Sequence, residues 1–205
     1  MRLNRGYLIV FEGIDGTGKS THSRLLGDFL AGRGISVVRL FEPTEGVWGQ
    51  KIRGILKNGR GGVTPEEELS WFINDRREDV EKNIAPALKD CQVVLLDRYY
   101  YSTAAYQGAL GFDPAGIVRD NETFAPKPDR VFLFTISPEK CLERVDGRAG
   151  EKSSFERADY LEKVQRIFDS FDDPVIQRVD TEPPVAEVHT RIRDAVLKLI
   201  GESVS

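Results

Sequence analysis

The sequence predicts a doubly wound α/β domain, a five-stranded parallel sheet with helices on both faces. Two observations predict it. Five apolar, β-rich runs at residues 7–11, 36–41, 92–97, 130–136 and 175–179 alternate with helical patterns. Near-continuous apolar strands separated by helices belong to a parallel sheet covered on both sides. The first run also leads into Gly13-Ile14-Asp15-Gly16-Thr17-Gly18-Lys19-Ser20-Thr21, which fits G-x-x-x-x-G-K-[ST]. Strand, glycine loop and helix in that order cradle phosphate, because backbone N–H groups point inward and the helix N-terminus adds partial positive charge.

In chain order, Tyr7-Leu8-Ile9-Val10-Phe11 is the first buried strand, and Leu25, Leu26, Phe29 and Leu30 are spaced for the helix after the loop. Lys19 is placed to neutralise β- and γ-phosphate oxygens, and the Ser20 hydroxyl to ligate Mg²⁺. The second strand ends in Phe41-Glu42-Pro43-Thr44-Glu45-Gly46. Pro65 after Thr64 opens a long helix with Leu69, Ile73, Val80, Ile84 and Leu88 as its expected core stripe. Phe72 and Arg76 share a face of that helix. They are either more core with a cation on its edge, or a planar surface and donor for a nucleobase. The third strand ends in Asp97-Arg98, a carboxylate placed to act on Mg²⁺ and a planar cation able to bridge two phosphates; the alternative is a strand-end ion pair. After the fourth strand, the charged stretch Arg144-Val145-Asp146-Gly147-Arg148-Ala149-Gly150-Glu151-Lys152 suits a mobile lid, or else a solvated loop. Leu161, Val164, Phe168 and Phe171 precede the fifth strand at helical spacing, and Val185, Val188, Ile192, Val196 and Leu199 follow it.

With 205 residues the chain suits one domain, residues 1–205, with one sizeable core. A net charge of −4 argues against a nucleic-acid or anionic-membrane partner. No apolar run approaches the ~20 residues of a membrane-spanning helix, and Met1-Arg2-Leu3-Asn4-Arg5 has no signal-peptide features. Cys91 and Cys141 lack metal-ligand spacing and read as reduced thiols in or beside buried elements of a cytoplasmic protein. His22 and His189 read as helix residues.

Taken together these motifs resemble the thymidylate kinases (dTMP kinases), P-loop nucleoside monophosphate kinases, over nearly the whole chain. The resemblance is carried by Phe11-Glu12-Gly13 through Thr21, the Glu42-Pro43 turn, and Phe72 with Arg76. It is carried also by Asp97-Arg98-Tyr99 followed by Ser102-Thr103 and Tyr106-Gln107, and by Pro126-Lys127-Pro128-Asp129. It implies a three-layer P-loop NTPase fold with a short lid at about 144–156. The implied activity is phosphoryl transfer from ATP, with Mg²⁺, to dTMP in dTTP synthesis, by a cytoplasmic homodimer. It further implies that residues 13–21 bind ATP and that Asp15 binds the acceptor's 3′-hydroxyl. Phe72 would stack on thymine, Arg76 would donate to its O4, Thr103 and Gln107 would line the substrate site, and Tyr106 would pack on the deoxyribose. Arg98 would hold the acceptor phosphate and Asp97 would order the Mg²⁺ shell.

The chain departs from the family pattern twice. An arginine common at the Glu-Pro turn is replaced by Phe41 and Thr44, with Arg39 or Arg53 as substitutes. The glycine loop has Gly16-Thr17 where some members carry a basic residue, which points to a lid cation; among Arg144, Arg148, Lys152 and Arg157, Arg148 is the expected one. The nearest alternative is a kinase for another (deoxy)nucleoside monophosphate or for a deoxynucleoside. A non-catalytic P-loop module or GTP switch would want an Asn-Lys-x-Asp reader after a strand, and Pro126-Lys127-Pro128-Asp129 lacks the Asn and precedes one.

Overall fold

The structure, a computed structural model, describes residues 3–136 and 151–201, the side chains of 151–158 excepted. Strands β1 (Tyr7–Glu12), β2 (Val37–Phe41), β3 (Val93–Asp97), β4 (Arg130–Thr135) and β5 (Ile176–Asp180) form one parallel sheet in the order β2-β3-β1-β4-β5. Each strand lies within a residue or two of the run that the sequence predicts. β1 is central, with Phe11 opposite both Asp97 of β3 and Phe132 of β4. The connections from β1 and β3 leave to opposite sides, so a crevice opens at the carboxyl ends of these strands, where open α/β sheets bind ligands.

Strand alternation makes two cores. Leu8, Val10, Val94, Leu96, Val131 and Leu133 face one way and pack on α5 (Tyr100–Gly108) and α7 (Glu151–Ser170). Tyr7, Ile9, Phe11, Val93, Leu95 and Phe134 face the other way, onto α1 (Lys19–Gly32) and α8 (Val185–Leu199). This is the expected three-layer arrangement. Within α8 the stripe holds at Val188, Ile192 and Val196, but Val185, in the first turn, is 51% exposed. His22 and His189 lie on α1 and α8, their rings stacked 6.3 Å apart. Cys91 lies half-buried in the turn before β3, and Cys141 is outside the described residues.

α2 (Val47–Asn58) and α6 (Pro114–Glu122) complete the shell. α3 (Pro65–Asp79) starts where Thr64 and Glu67 exchange the two bonds of a capping box, Glu67 N to Thr64 Oγ1 at 3.2 Å and Thr64 N to a Glu67 carboxylate oxygen at 3.1 Å. It runs through a π-turn (Val80–Ile84) into α4 (Ala85–Lys89). The apolar stripe expected on this helix is present only in its second half, where Ile84 is buried and Val80 and Leu88 join the core. Leu69 and Ile73 are half-buried. The buried face of α3 is instead Glu68, Asp75, Arg76 and Asp79, each 2% exposed or less. A periodicity search weighted to apolar residues passes over such a face, because these charges are buried by pairing with one another's neighbours rather than by aversion to water.

Candidate active site

The glycine loop turns between β1 and α1. Gly13 has φ +132°, and a Cβ there would stand 2.5 Å from the Phe134 carbonyl oxygen, so only glycine fits against β4. Gly18, with φ +95°, caps α1 without a side-chain bond. Thr17 is buried and donates to Ile14 O at 2.9 Å, tightening the turn. Lys19 folds back over the loop, its Nζ donating to Gly13 O (3.0 Å) and Ile14 O (2.8 Å). Burial, helped by the charge of Arg98, brings its ammonium down to about 8. Asp15, Gly16, Ser20 and Thr21 are exposed at the mouth.

A cavity of about 490 Å³ opens beside the loop, with Lys19, Ser20, Phe41, Asp97 and Arg98 among its walls. The Ser20 hydroxyl donates to Asp97 Oδ2. A hydroxyl and a carboxylate in contact at the cavity wall suit a hard cation that keeps phosphate and water oxygens as its other ligands. Among the described residues no group of three or more His, Cys, Asp or Glu could hold a metal by itself.

Asp97 and Arg98 do not form the strand-end pair that their adjacency allows. Arg98 has φ +70°, a left-handed conformation that is uncommon for a residue with a Cβ, and it turns away from Asp97. Its Nη2 donates to Asp15 Oδ1 at 2.6 Å, and its Nη1 to Ser102 Oγ at 2.9 Å and Gly13 O at 3.3 Å. Its guanidinium lies 5.2 Å over the Tyr106 ring. Asp15 and Tyr106 therefore meet at Arg98.

Arg76 is 1% exposed, and both of its terminal nitrogens are engaged. It donates to Asn121 Oδ1 (2.8 Å), Glu42 Oε2 (2.5 Å) and Thr103 Oγ1 (3.0 Å), leaving Nε buried without a bond among the described residues. Burial pushes the Glu42 carboxyl up to about 8, against the pull of Arg76, and Asp79 and Asp75 push it further the same way. Gln107 is 1% exposed; it donates to Glu68 Oε1 at 2.9 Å and keeps Oε1 buried and unbonded. Phe72 is half-buried and belongs to neither core cluster, which removes the core reading of that side chain.

Of the two arginines offered for the missing one, Arg53 is the one that bonds to the turn after β2. Its guanidinium donates to Pro43 O (2.5 Å) and Thr44 O, pairs with Glu45 (3.0 Å) and lies 5.7 Å from the Phe41 ring. The Arg39 stem packs at Gly27 of α1. Asp75 ties the same turn to α3 by accepting from Thr44 N (2.8 Å) and Thr44 Oγ1 (2.6 Å). Arg144 and Arg148 lie outside the described residues, and Lys152 and Arg157 are on α7 with side chains outside them.

Glu12, Glu42, Glu68, Asp75, Ser102 and Asn121 hold the site residues in place, and the sequence reading assigned them no role. The available signal was a charge where alternation or helical spacing demands an apolar residue, clearest at Glu12, the last position of β1.

The family model described as Thymidylate kinase matches residues 11–192. A thymidylate kinase of Desulfotalea psychrophila is 45% identical over 200 residues, covering 97% of this chain and 96% of that protein. That of Akkermansia muciniphila is 47% identical over 192 residues (94% and 92%), and that of Brachyspira hyodysenteriae 41% over 199 (97% and 95%).

Proposed function

The chain belongs to the thymidylate kinase family, and on that premise we infer that it transfers the γ-phosphoryl group of ATP to the 5′-phosphate of dTMP, giving dTDP and ADP. The observation that carries this reading is a single cavity lined by Lys19, Ser20 and Arg98 together. Donor and acceptor phosphates would meet there.

In this reading an acceptor phosphate oxygen attacks the γ-phosphorus while the bond to the β–γ bridging oxygen breaks. The acceptor is already anionic near neutral pH, so no side chain has to remove a proton. Positioning and charge neutralisation supply the catalysis. The loop N–H groups and Lys19 would hold the β- and γ-phosphates, Lys19 exchanging its two loop carbonyls for phosphate oxygens. Arg98, released from Asp15, would grip the acceptor phosphate, and Asp15 would turn to the 3′-hydroxyl. Mg²⁺, held by Ser20 and ordered by Asp97, would supply charge to the transferring group. Arg53, which reaches the carbonyls of Pro43 and Thr44, would serve the acceptor phosphate in place of the absent arginine. Phe72 would stack on the base. Arg76 would donate to O4, and the unbonded Gln107 Oε1 is an acceptor suited to the N3–H of a pyrimidine dione. Arg148 remains the expected lid cation within the single domain of residues 1–205. The working form would be a cytoplasmic homodimer feeding dTTP synthesis, with neither nucleic acid nor membrane as partner; no helix among the described residues is long and apolar enough to cross a membrane.

The test is a substrate panel with ATP over dTMP, dUMP, dGMP, UMP, AMP and thymidine. The highest kcat/KM is expected for dTMP. A clear preference for another acceptor would overturn the assignment of substrate while leaving the phosphate site intact.

A further inference from the structure

We propose that Glu12 is a positioning residue for Arg98, acting through the Ser102 hydroxyl. The proposal rests on the reading of Arg98 as the acceptor-phosphate residue. Glu12 is the last residue of β1 and is 0% exposed. Strand alternation puts its side chain with Leu8 and Val10 on the face that packs against α5, where an apolar residue is expected.

The reason for a carboxylate lies in what it accepts. Glu12 Oε1 takes the backbone N–H groups of Tyr99 (2.9 Å) and Ser102 (3.0 Å). Tyr99 is the N-cap of α5 and its own side chain makes no capping bond. Glu12 therefore does from the neighbouring strand what an N-cap side chain normally does, and its charge sits at the favourable end of the helix. The second oxygen, Oε2, accepts the Ser102 hydroxyl.

That last bond sets a direction. A serine hydroxyl has one proton and two lone pairs. With the proton committed to Glu12, Ser102 Oγ can only accept on its other side, and there it meets Arg98 Nη1 at 2.9 Å. The Arg98 backbone is tied to the same strand end, its N–H donating to Phe11 O at 2.9 Å. Two successive residues of β1 thus hold the backbone and one terminal nitrogen of Arg98. The other, Nη2, is the one paired with the exposed Asp15, and that side is left to exchange with a ligand. Thr103, Tyr106 and Gln107 ride on α5, so the anchoring of the helix and the aim of the arginine share one carboxylate.

Glu12→Gln keeps the shape and reverses the polarity. If the amide oxygen stays on the two N–H groups, its NH₂ faces Ser102 Oγ, and the hydroxyl proton loses its acceptor. Ser102→Ala removes the link to Arg98 and with it the donor to Glu12 Oε2, and leaves both backbone bonds of Glu12 in place. Steady-state kinetics with ATP and dTMP would be measured for these two variants, for Arg98→Ala, and for the doubles with Arg98→Ala, alongside melting curves. We expect Ser102→Ala to stay folded with a modestly lowered melting temperature, keep the KM for ATP, and lower kcat/KM for dTMP about tenfold or more, as for a lost hydrogen bond to a charged group. Glu12→Gln should lose at least as much, and neither loss should add to that of Arg98→Ala. If Arg98→Ala is crippled for dTMP while Ser102→Ala is not, Glu12 only caps α5 and the proposal is overturned. Full additivity with Arg98→Ala overturns it as well. An Arg98→Ala enzyme with normal dTMP kinetics would instead overturn the reading of Arg98 on which the proposal stands. Because Ser102→Ala leaves the helix anchor intact, the outcome does not depend on Glu12→Gln folding.

Discussion

At the scale of single residues, two buried charges have consequences that can be measured. Lys19 is buried on the glycine loop with its ammonium on two loop carbonyls, away from the sheet's own strands. Lys19→Ala should keep the wild-type melting temperature and lose activity by on the order of 10²-fold or more, since the removed charge is aimed at the transferring group. Normal turnover in the folded variant would sink the donor-site assignment. For Glu12, burial outweighs the bonds from Ser102 and the charge of Arg98 and pushes the carboxyl up to about 6 from its ordinary 4.5. Between about pH 4.5 and 6 the folded protein then holds more protons than the unfolded chain. Its contribution to stability is full below about 4.5 and is lost as pH rises through about 6, a loss of roughly 2 kcal/mol. Glu12→Gln cannot titrate, so the unfolding free energy of wild type minus that of the variant should fall across this window and level off above it. A difference that stays constant from pH 4 to 7 would contradict the origin given for the shift.

Among the elements, α3 shows how a helix can be organised by charge. Its buried residues reach three different segments: Glu68 to Gln107 of α5, Asp75 to Thr44 at the β2 turn, and Arg76 to Glu42, Thr103 and Asn121. The helix acts as a rack on which the ends of β2, α5 and α6 are hung, and Arg76 is the peg they share. Asn121, fully buried, donates to Ile117 O of its own helix and accepts from Arg76. Asn121→Ala should leave ATP kinetics unchanged and raise the KM for dTMP about tenfold, because Arg76 loses one of three acceptors that orient it. Phe72→Ala should raise the same KM by loss of stacking, and Arg76→Ala should weaken the preference for a base with a carbonyl at that edge. Arg76→Ala should also lower stability, because Glu42, Thr103 and Asn121 all lose their buried donor, at roughly 1–3 kcal/mol for each acceptor left unsatisfied. Wild-type dTMP affinity and selectivity in all three would remove base recognition from this helix.

For the whole molecule, the central position of β1 unites donor and acceptor handling. Its end supplies the glycine loop to one side and, through Glu12 and Phe11 O, the anchor of Arg98 to the other. Ligand binding should therefore stabilise the whole domain. ATP with Mg²⁺ at a hundredfold excess over Kd should raise the unfolding free energy by about 2.7 kcal/mol. Thermal melts with and without EDTA should show most of that gain disappearing when the cation is removed, and Lys19→Ala should blunt it in either case. An ATP-induced shift of equal size in EDTA would argue against Ser20 and Asp97 as a cation site.

The five strands, the main helices between them, the phosphate loop and the polar pair at the end of β3 were legible in the sequence alone. Those signals are local: apolar runs have a period, glycines mark a loop, and neighbours in sequence remain neighbours in space. Phe72 and Arg76 were legible as residues sharing a helix face, though their burial was not, since spacing cannot distinguish a half-buried aromatic from a buried one. Other features depended on contacts between distant segments. Arg98 pairs with Asp15, 83 residues away, rather than with adjacent Asp97, because its backbone turns through a left-handed φ. Glu12 caps a helix that begins 88 residues later in the chain, at Tyr100. The buried face of α3 is polar because the segments packed on it bring matching donors and acceptors. A buried charge is stable only with its partner, and sequence lists both without saying that they meet; the tertiary structure decides that.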